Sequence, residues 1–286
     1  MTSSLLSPYL RQVVSGNQVF FWPVPEGKCR IAASAGRLVA ISAKSDLLEL
    51  DTRPPFLLCN SERKRYYAPL WNNPVLHRTF CSISNNKGII AFASKYGLLG
   101  FASERIINKH RGGPPRRMIA ESVRRWNYEL VEMQRLLYLW DLVKQQRLSL
   151  VAALLSLEED GLYITLSRRK DLVADHNSVL YKKWVLRGEQ PREAAVLYLT
   201  NCINDRLEGG VHPQINPSYR KHIYLHPANL LSAMWLMFFW ELIDEVRPFQ
   251  CPGCYQWFDP KRSTRRTCGD RCRKRLSRLN KKEGNA

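Results

Sequence analysis

The residues with the clearest chemistry lie near the C-terminus, where Cys251–Cys272 reads CPGCYQWFDPKRSTRRTCGDRC. Its four cysteines follow the spacing C-x2-C-x13-C-x3-C and are Cys251, Cys254, Cys268 and Cys272. Two closely spaced pairs can surround one tetrahedral ion, and four sulfur ligands favour zinc, with an iron–sulfur cluster as the alternative. We therefore predict one zinc ion. Because four cysteines leave no open coordination position, its role is expected to be structural.

Disulfide bonds are the other use for cysteines. The N-terminal sequence MTSSLLSPYLRQVVSG lacks the pattern of a secretory or transit signal, which predicts a cytoplasmic protein. A reducing compartment disfavours disulfides, and 286 residues provide enough core without them. The four remaining cysteines are isolated in the sequence and are expected to be small buried apolar residues: Cys29, Cys59, Cys81 and Cys202.

Three local elements must position the cysteine ligands. Pro252 and Gly253 suit a tight knuckle between the first pair. The second pair is four residues apart, so a helix beginning near Gly269 or Asp270 would place both sulfurs on one side. With a short hairpin from Trp257 to Arg265 between the pairs, the segment is expected to resemble a treble clef.

The same segment is strongly basic. From Arg247 to the end it holds twelve Lys or Arg against three acidic residues, a net charge of +9, which a zinc tetrathiolate would reduce to +7. Such charge binds phosphates through counterion release, and nucleic acid is the expected partner. The predicted contact residues are Lys261, Arg262, Arg265, Arg266, Arg271, Arg273, Lys274, Arg275, Arg278, Lys281 and Lys282. A solvated basic tail is the simpler alternative.

The rest of the chain predicts an α+β protein with a mostly helical body. Short β-like runs suggest a small β-containing N-terminal lobe over residues 1–110, including a helix over Ser84–Tyr96 that ends at Gly97. After the Gly-Pro break in HRGGPPRR, the pattern of residues 111–247 favours a helical domain, which could bind a ligand or form a homodimer. Residues 248–286 form the zinc module.

Neither a membrane span nor a catalytic site is predicted. The apolar stretch His226–Val246 is interrupted by Asn229 and Ser232 and closes at Glu241, which favours a buried core helix. The six histidines show no metal-ligand spacing, and the chain has no phosphate-binding glycine loop or nucleophile elbow. We therefore do not predict an enzyme.

The C-terminal segment resembles the four-cysteine zinc module of bacterial CGNR-like proteins. The resemblance is carried by Cys251, Cys254, Trp257, Phe258, Arg265, Arg266, Cys268, Cys272 and Arg273. That family combines a helical body with a C-terminal module and is regarded as a group of DNA-binding transcription regulators. The chain departs from the pattern because three residues separate the second cysteine pair, and Arg273-Lys274-Arg275 stands where Gly-Asn-Arg would be expected.

Together, these features predict a zinc-stabilised nucleic-acid-binding protein, with DNA favoured over RNA and transcription regulation as its role. Two alternatives remain open. The zinc could fold a module that binds an acidic protein partner, or an enzyme in the body could use the basic module to reach nucleic acid.

Overall fold

The computed structural model describes residues 20–25, 29–32, 39–40, 56–60, 64–101, 103–107, 116–187, 190–215, 223–243, 248–260 and 264–283. The chain divides into two compact units, of which unit 1 comprises Met1–Glu129 with Gly209–Ala286, and unit 2 comprises Leu130–Glu208. This division differs from the three consecutive segments expected from the sequence, because the chain returns to unit 1 after residue 208.

Unit 1 contains a five-stranded antiparallel sheet in the order β2-β4-β7-β6-β3. Its strands are β2 (Arg30–Ala32), β3 (Val39–Ala40), β4 (Phe56–Asn60), β6 (Ser103–Ile107) and β7 (Arg116–Ser122). A separate antiparallel ribbon joins β1 (Trp22–Pro25) to β5 (Lys64–Tyr67), and another joins β11 (Val211–Ile215) to β12 (Ile223–Pro227). The apolar run at the start of β4 is buried, which anchors the sheet to the core.

A disulfide bond joins Cys29 to Cys59, so the interpretation of these two residues as isolated core cysteines was wrong. The register of β2 and β4 explains the pairing, because Arg30 lies opposite Leu58 and the preceding residue therefore comes opposite Cys59. Both cysteines are buried, as predicted. Cys81 and Cys202 are not disulfide-bonded and are partly exposed.

Four helices of unit 1 contribute to its core, and two of them confirm predictions. They are α1 (Pro69–Asn72), α2 (Leu76–Cys81), α3 (Asn86–Tyr96) and α8 (Leu230–Leu242). The Asn85 side chain accepts a hydrogen bond from the N–H of Gly88 and caps α3, which ends at Gly97 with φ +95°. The predicted core helix is α8, and ten of its 13 residues are buried.

A buried carboxylate holds the loop that follows α3. Glu121 on β7 accepts hydrogen bonds from the backbone N–H groups of Leu99, Gly100 and Phe101 and from Nε1 of Trp126. Burial outweighs these donors and raises the pKa of Glu121 to about 7.

Residues 118–122 lie in strand β7, although the sequence predicted that the helical pattern would begin there.

Unit 2 is built around a long helix and a three-stranded meander. Helix α4 (Val123–Lys144) enters unit 2 at Leu130, and the sheet contains β8 (Leu155–Leu157), β9 (Gly161–Leu166) and β10 (Arg169–Asp175). The remaining helices are α5 (Leu148–Ala152), α6 (Val179–Arg187) and α7 (Pro191–Leu207). The expectation of a helical bundle over residues 111–247 is therefore corrected to a mixture of helices and antiparallel strands.

A charged network connects three elements of unit 2. The buried Arg135 of α4 donates hydrogen bonds to Asp171 of β10 at 2.5 Å and to Glu132 at 3.0 Å. The hydroxyl of Tyr198 on α7 donates to the same Asp171 carboxylate. These charge-assisted bonds satisfy groups that would be costly to bury alone.

None of the helices in the described ranges combines the length and apolar composition that crossing a bilayer demands.

Candidate metal centre

The first cysteine pair lies in a tight knuckle at the end of a two-stranded hairpin. The carbonyl of Cys251 accepts hydrogen bonds from the N–H groups of Cys254 and Tyr255, at 3.3 and 2.7 Å. The knuckle packs against Cys272, because a Cβ added at Gly253 would lie 3.0 Å from the Cβ of Cys272 and 3.2 Å from its carbonyl oxygen. Gly253 thus suits the close approach of the two cysteine pairs, because a larger side chain would crowd Cys272.

The second pair lies where the C-terminal helix begins, as predicted. Helix α9 covers Asp270–Glu283, with Cys268 just before it and Cys272 in its first turn. The N–H of Arg273 donates to the carbonyl of Gly269 and closes that turn. The start of α9 therefore determines how the second pair of sulfur atoms is presented.

The four sulfur atoms all lie within 4.8 Å of one another. The Sγ of Cys268 lies 3.5 Å from those of Cys254 and Cys272, too far for a disulfide bond of about 2.05 Å. Tetrahedral coordination with Zn–S distances of about 2.3 Å places the sulfurs about 3.8 Å apart. These cysteines lie close enough to coordinate one metal ion, and the donor set fits zinc.

The thiols differ in how readily they ionise. Burial opposes ionisation of Cys251, but hydrogen bonds from the backbone N–H groups of Cys268, Gly253 and Cys254 outweigh it and lower its pKa to about 6. Burial raises the pKa of Cys268, and the neighbouring sulfurs raise it further. A metal cation at the centre of the four sulfur atoms would offset the effects of burial and of the neighbouring sulfurs, because it favours the thiolate form of all four ligands.

A short hairpin flanks the first cysteine pair. Strand β14 (Trp257–Phe258) pairs with β13 (Phe249–Gln250), so this hairpin encloses the first knuckle, whereas the hairpin expected from Trp257 to Arg265 lies partly outside the described residues and stays a prediction. The rings of Phe249 and Phe258 make an edge contact at 5.8 Å across it. Residues 261–263 lie outside the described ranges, and a treble-clef fold is not confirmed.

The metal module packs on α2 through Trp257. The guanidinium carbon of Arg78 lies 5.0 Å from the ring centroid of Trp257, within the range of a cation–π interaction. The same guanidinium donates to both carboxylate oxygens of Glu241 on α8, one of them at 2.9 Å from Nε. The Nε2 atom of His77 lies 2.8 Å from Oε2 of Glu241.

This ionic cluster is almost completely buried, with no exposure at His77 or Glu241 and 6% at Arg78. Burial opposes ionisation of Glu241, but the hydrogen bonds from His77 and Arg78 outweigh it and lower its pKa to about 2. The carboxylate therefore balances the buried charge of Arg78 and orients its guanidinium against Trp257.

The predicted nucleic-acid contacts separate into groups according to their partners. Four exposed residues occupy positions i, i+3, i+4 and i+7 of α9 and share one face, here called the basic stripe: Arg271, Lys274, Arg275 and Arg278. Within the described part of the chain they make no ion pair. Positions 281 and 282 continue the series along the backbone, and Lys261 and Arg262 lie outside the described residues.

Three other predicted contacts have partners inside the module. Arg265 donates to the carbonyls of Thr267 and Cys268 and lies over the ring of Phe258 at 5.6 Å. Arg266 lies 5.6 Å from the ring centroid of Phe249. Arg273, on another face of α9, pairs with Asp270 at 3.2 Å. Arg265 and Arg266 therefore help to build the module.

The sequence interpretation missed the residues that join the module to the rest of unit 1. Arg78 and Glu241 are 163 residues apart, and neither belongs to a recognisable motif. Tyr255 was also missed, although its place immediately after the first cysteine pair is visible in the sequence. Its side chain is 74% exposed, and its φ is +58°.

The fold and site define a protein of mixed helix and sheet with a group of four cysteines that could hold a metal ion, next to an exposed basic helix. Comparison with family models, curated proteins and solved structures found no match.

Proposed function

We propose that this protein binds nucleic acid through its C-terminal module, as a zinc-stabilised DNA-binding protein that regulates transcription. The observation that carries the proposal is the basic stripe, four exposed cations on one face of a helix whose first turn contains a metal ligand. A helix face of this kind can follow a phosphate backbone, and each neutralised phosphate releases condensed counterions. DNA and a regulatory role follow from the resemblance to CGNR-like proteins.

The distribution of charge supports a nucleic-acid surface on unit 1. Residues 130–208 hold eleven Lys or Arg and eleven Asp or Glu, a net charge of zero. The whole net charge of +19 therefore belongs to the residues of unit 1. Because electrostatic attraction to phosphates depends on local charge, we do not expect unit 2 to bind the nucleic acid.

The role of the metal is structural in this proposal. Four cysteine ligands close a tetrahedral shell, so a zinc ion here has no open position at which to activate water. Its contribution is to fold a short segment and hold the start of α9 against the knuckle. A binding role thus fits the donor set better than a catalytic one.

The metal requirement is tested by removing one ligand. Elemental analysis of purified wild-type protein should find about one zinc per chain, whereas Cys272→Ala should lose the metal and its nucleic-acid affinity. Cys81→Ala is the matched control, because it removes a cysteine of α2 that belongs neither to the disulfide nor to the four-cysteine group and should keep the metal. Full zinc content in Cys272→Ala would refute the four-cysteine centre.

The nucleic-acid contact is tested by charge reversal on the stripe. Binding of the full-length metal-loaded chain to duplex and single-stranded DNA is measured by fluorescence anisotropy over a salt series. Arg275→Glu/Arg278→Glu should weaken binding to at least one ligand and reduce its log–log salt slope by about 2. Lys182→Glu/Lys183→Glu reverses the same number of exposed charges on α6 of unit 2 and serves as the control.

The two double variants carry the same net charge, so any difference between them depends on position. Equal affinity of both variants and wild type would overturn the proposal. Tight capture of an acidic protein in place of nucleic acid would favour the alternative of a protein-interaction module.

A further inference from the structure

Tyr255 lies at the exit of the first knuckle, with its backbone held in place and its ring in solvent. Its N–H donates to the carbonyl of Cys251 at 2.7 Å, and its carbonyl accepts a hydrogen bond from Nε2 of Gln250 at 3.1 Å. These bonds maintain a φ of +58°, a left-handed conformation that is uncommon for a bulky side chain. The side chain is therefore presented outward by a rigid turn.

The other aromatic rings of the module have partners that account for them. Phe249 and Phe258 contact each other, and Trp257 packs over Arg78. In contrast, the exposed ring of Tyr255 has no aromatic or cationic partner among the described residues. Glycine or asparagine would adopt this left-handed backbone conformation at a lower energetic cost, and within the described part of the chain the tyrosine ring makes no aromatic or cation–π contact that would offset that cost.

Tyr255 also belongs to the knuckle that packs against the first turn of α9, where the basic stripe begins. It follows Cys254, whose sulfur lies 3.5 Å from that of Cys268, two residues before α9. The neighbouring Gly253 packs against Cys272 in the first turn of the helix. The knuckle that carries Tyr255 therefore lies against the end of α9 at which the basic stripe begins, and a nucleic-acid strand held along α9 would meet the knuckle at that end.

We propose that Tyr255 stacks on an unpaired base while the basic stripe holds the adjoining phosphates, which makes single-stranded DNA the ligand of this module. The inference rests on the proposed nucleic-acid function and specifies its ligand. A planar ring beside a row of cations is the arrangement by which proteins bind single strands without reading a sequence. Paired bases inside a duplex have no free face to offer the ring.

The test uses the full-length metal-loaded chain and three fluorescent probes of equal length. These are an oligothymidylate strand, an abasic strand with the same phosphates, and a duplex. Tyr255→Asn removes the ring but suits the left-handed backbone, and Tyr255→Phe retains the ring. Zinc content is measured for each variant, so that loss of the module is distinguished from loss of the ring.

We expect Tyr255→Asn to bind oligothymidylate about 5- to 150-fold more weakly than wild type, the range that corresponds to one stacked base. Its affinity for the abasic strand and the duplex should be unchanged, and its salt slope should match wild type because no charge is lost. Tyr255→Phe should bind like wild type.

The inference is overturned if Tyr255→Asn binds oligothymidylate as tightly as wild type, or if it loses as much affinity for the abasic strand. The variant Arg275→Glu/Arg278→Glu distinguishes this failure from that of the proposed function. A stripe effect without a tyrosine effect overturns the stacking inference alone, whereas the absence of any stripe effect overturns both.

Discussion

Arg78 on α2 binds the metal module and the protein core at the same time. One face of its guanidinium lies 5.0 Å from the centroid of Trp257, and its nitrogens donate to Glu241 on α8. The module is therefore part of unit 1 and not an independent appendage. The folding of the module is expected to be coupled to the packing of α2 and α8.

Removing the Trp257 ring should weaken this coupling. We expect Trp257→Leu to lower the free energy of unfolding by about 0.5–2 kcal/mol, the range for a cation–π interaction between exposed and desolvated sites. The metal should pass to a chelator faster than in wild type, because the hairpin that carries the first knuckle loses its contact with α2. Chemical denaturation and metal release to a colorimetric chelator provide the measurements.

Tyr255→Asn is the matched control for that experiment. It removes an aromatic ring two residues away that has no partner on α2, and should leave metal release unchanged. If Trp257→Leu releases metal at the wild-type rate, the contact with Arg78 does not stabilise the module.

Neutralising Glu241 should lower the free energy of unfolding more than Trp257→Leu does. Glu241→Gln keeps the size of the side chain but leaves Arg78 buried without its counter-charge, which we expect to cost about 3–5 kcal/mol. The double variant Arg78→Met/Glu241→Leu should recover much of this loss, since it removes both charges from the interior. Urea denaturation of the three proteins measures the difference.

Glu158→Gln provides the corresponding control, because it breaks the exposed ion pair with Lys170, which is expected to contribute little. A similar, small effect of Glu158→Gln and Glu241→Gln would contradict the assignment of the buried cluster as a stabilising network.

The low pKa of Glu241 predicts how the stability of the folded protein depends on pH. Its pKa falls from an ordinary 4.5 to about 2 in the folded protein, so the native state binds fewer protons than the unfolded state between these values. The resulting stability is fully present above about pH 4.5 and is lost as the pH falls towards 2. A shift of this size corresponds to about 3 kcal/mol.

The difference in unfolding free energy between wild type and Glu241→Gln should therefore shrink over this range. Acid also protonates the cysteine ligands, but that affects both proteins, and their difference isolates the carboxylate. A difference that stays constant from pH 5 to pH 2 would show that Glu241 does not titrate with a lowered pKa.

The disulfide between Cys29 and Cys59 should stabilise the N-terminal sheet. With a sequence separation of 30 residues, loop closure in the unfolded chain accounts for about 3–4 kcal/mol. A reductant that does not chelate metals should lower the free energy of unfolding of wild type by this amount. The variant Cys29→Ala/Cys59→Ala should be less stable from the outset and should not respond to the reductant. An identical response of both proteins would show that the bond is absent.

The cysteine cluster and its adjoining helix follow from local sequence. The spacing of Cys251, Cys254, Cys268 and Cys272 predicts two ligand pairs because a knuckle and a helical turn each bring nearby residues together. The cap at Asn85 and the stop at Gly97 similarly depend on a few neighbouring residues, and α3 was predicted correctly. Local geometry can be predicted from a sequence when the two residues that interact lie within one turn of each other.

The contacts between distant residues were decided only by the tertiary structure. Strand register paired Cys29 with Cys59, and helix packing brought Arg78 to Glu241 and Trp257. The eleven predicted contact residues also looked equivalent in the sequence, yet in the folded module Arg265, Arg266 and Arg273 have partners, whereas the four residues of the stripe make no ion pair within the described ranges. Composition and spacing determine how much charge and how many ligands the chain carries, whereas the tertiary structure determines which of those groups contact one another, because only the fold brings a charged side chain within reach of a ring, a carbonyl or a carboxylate.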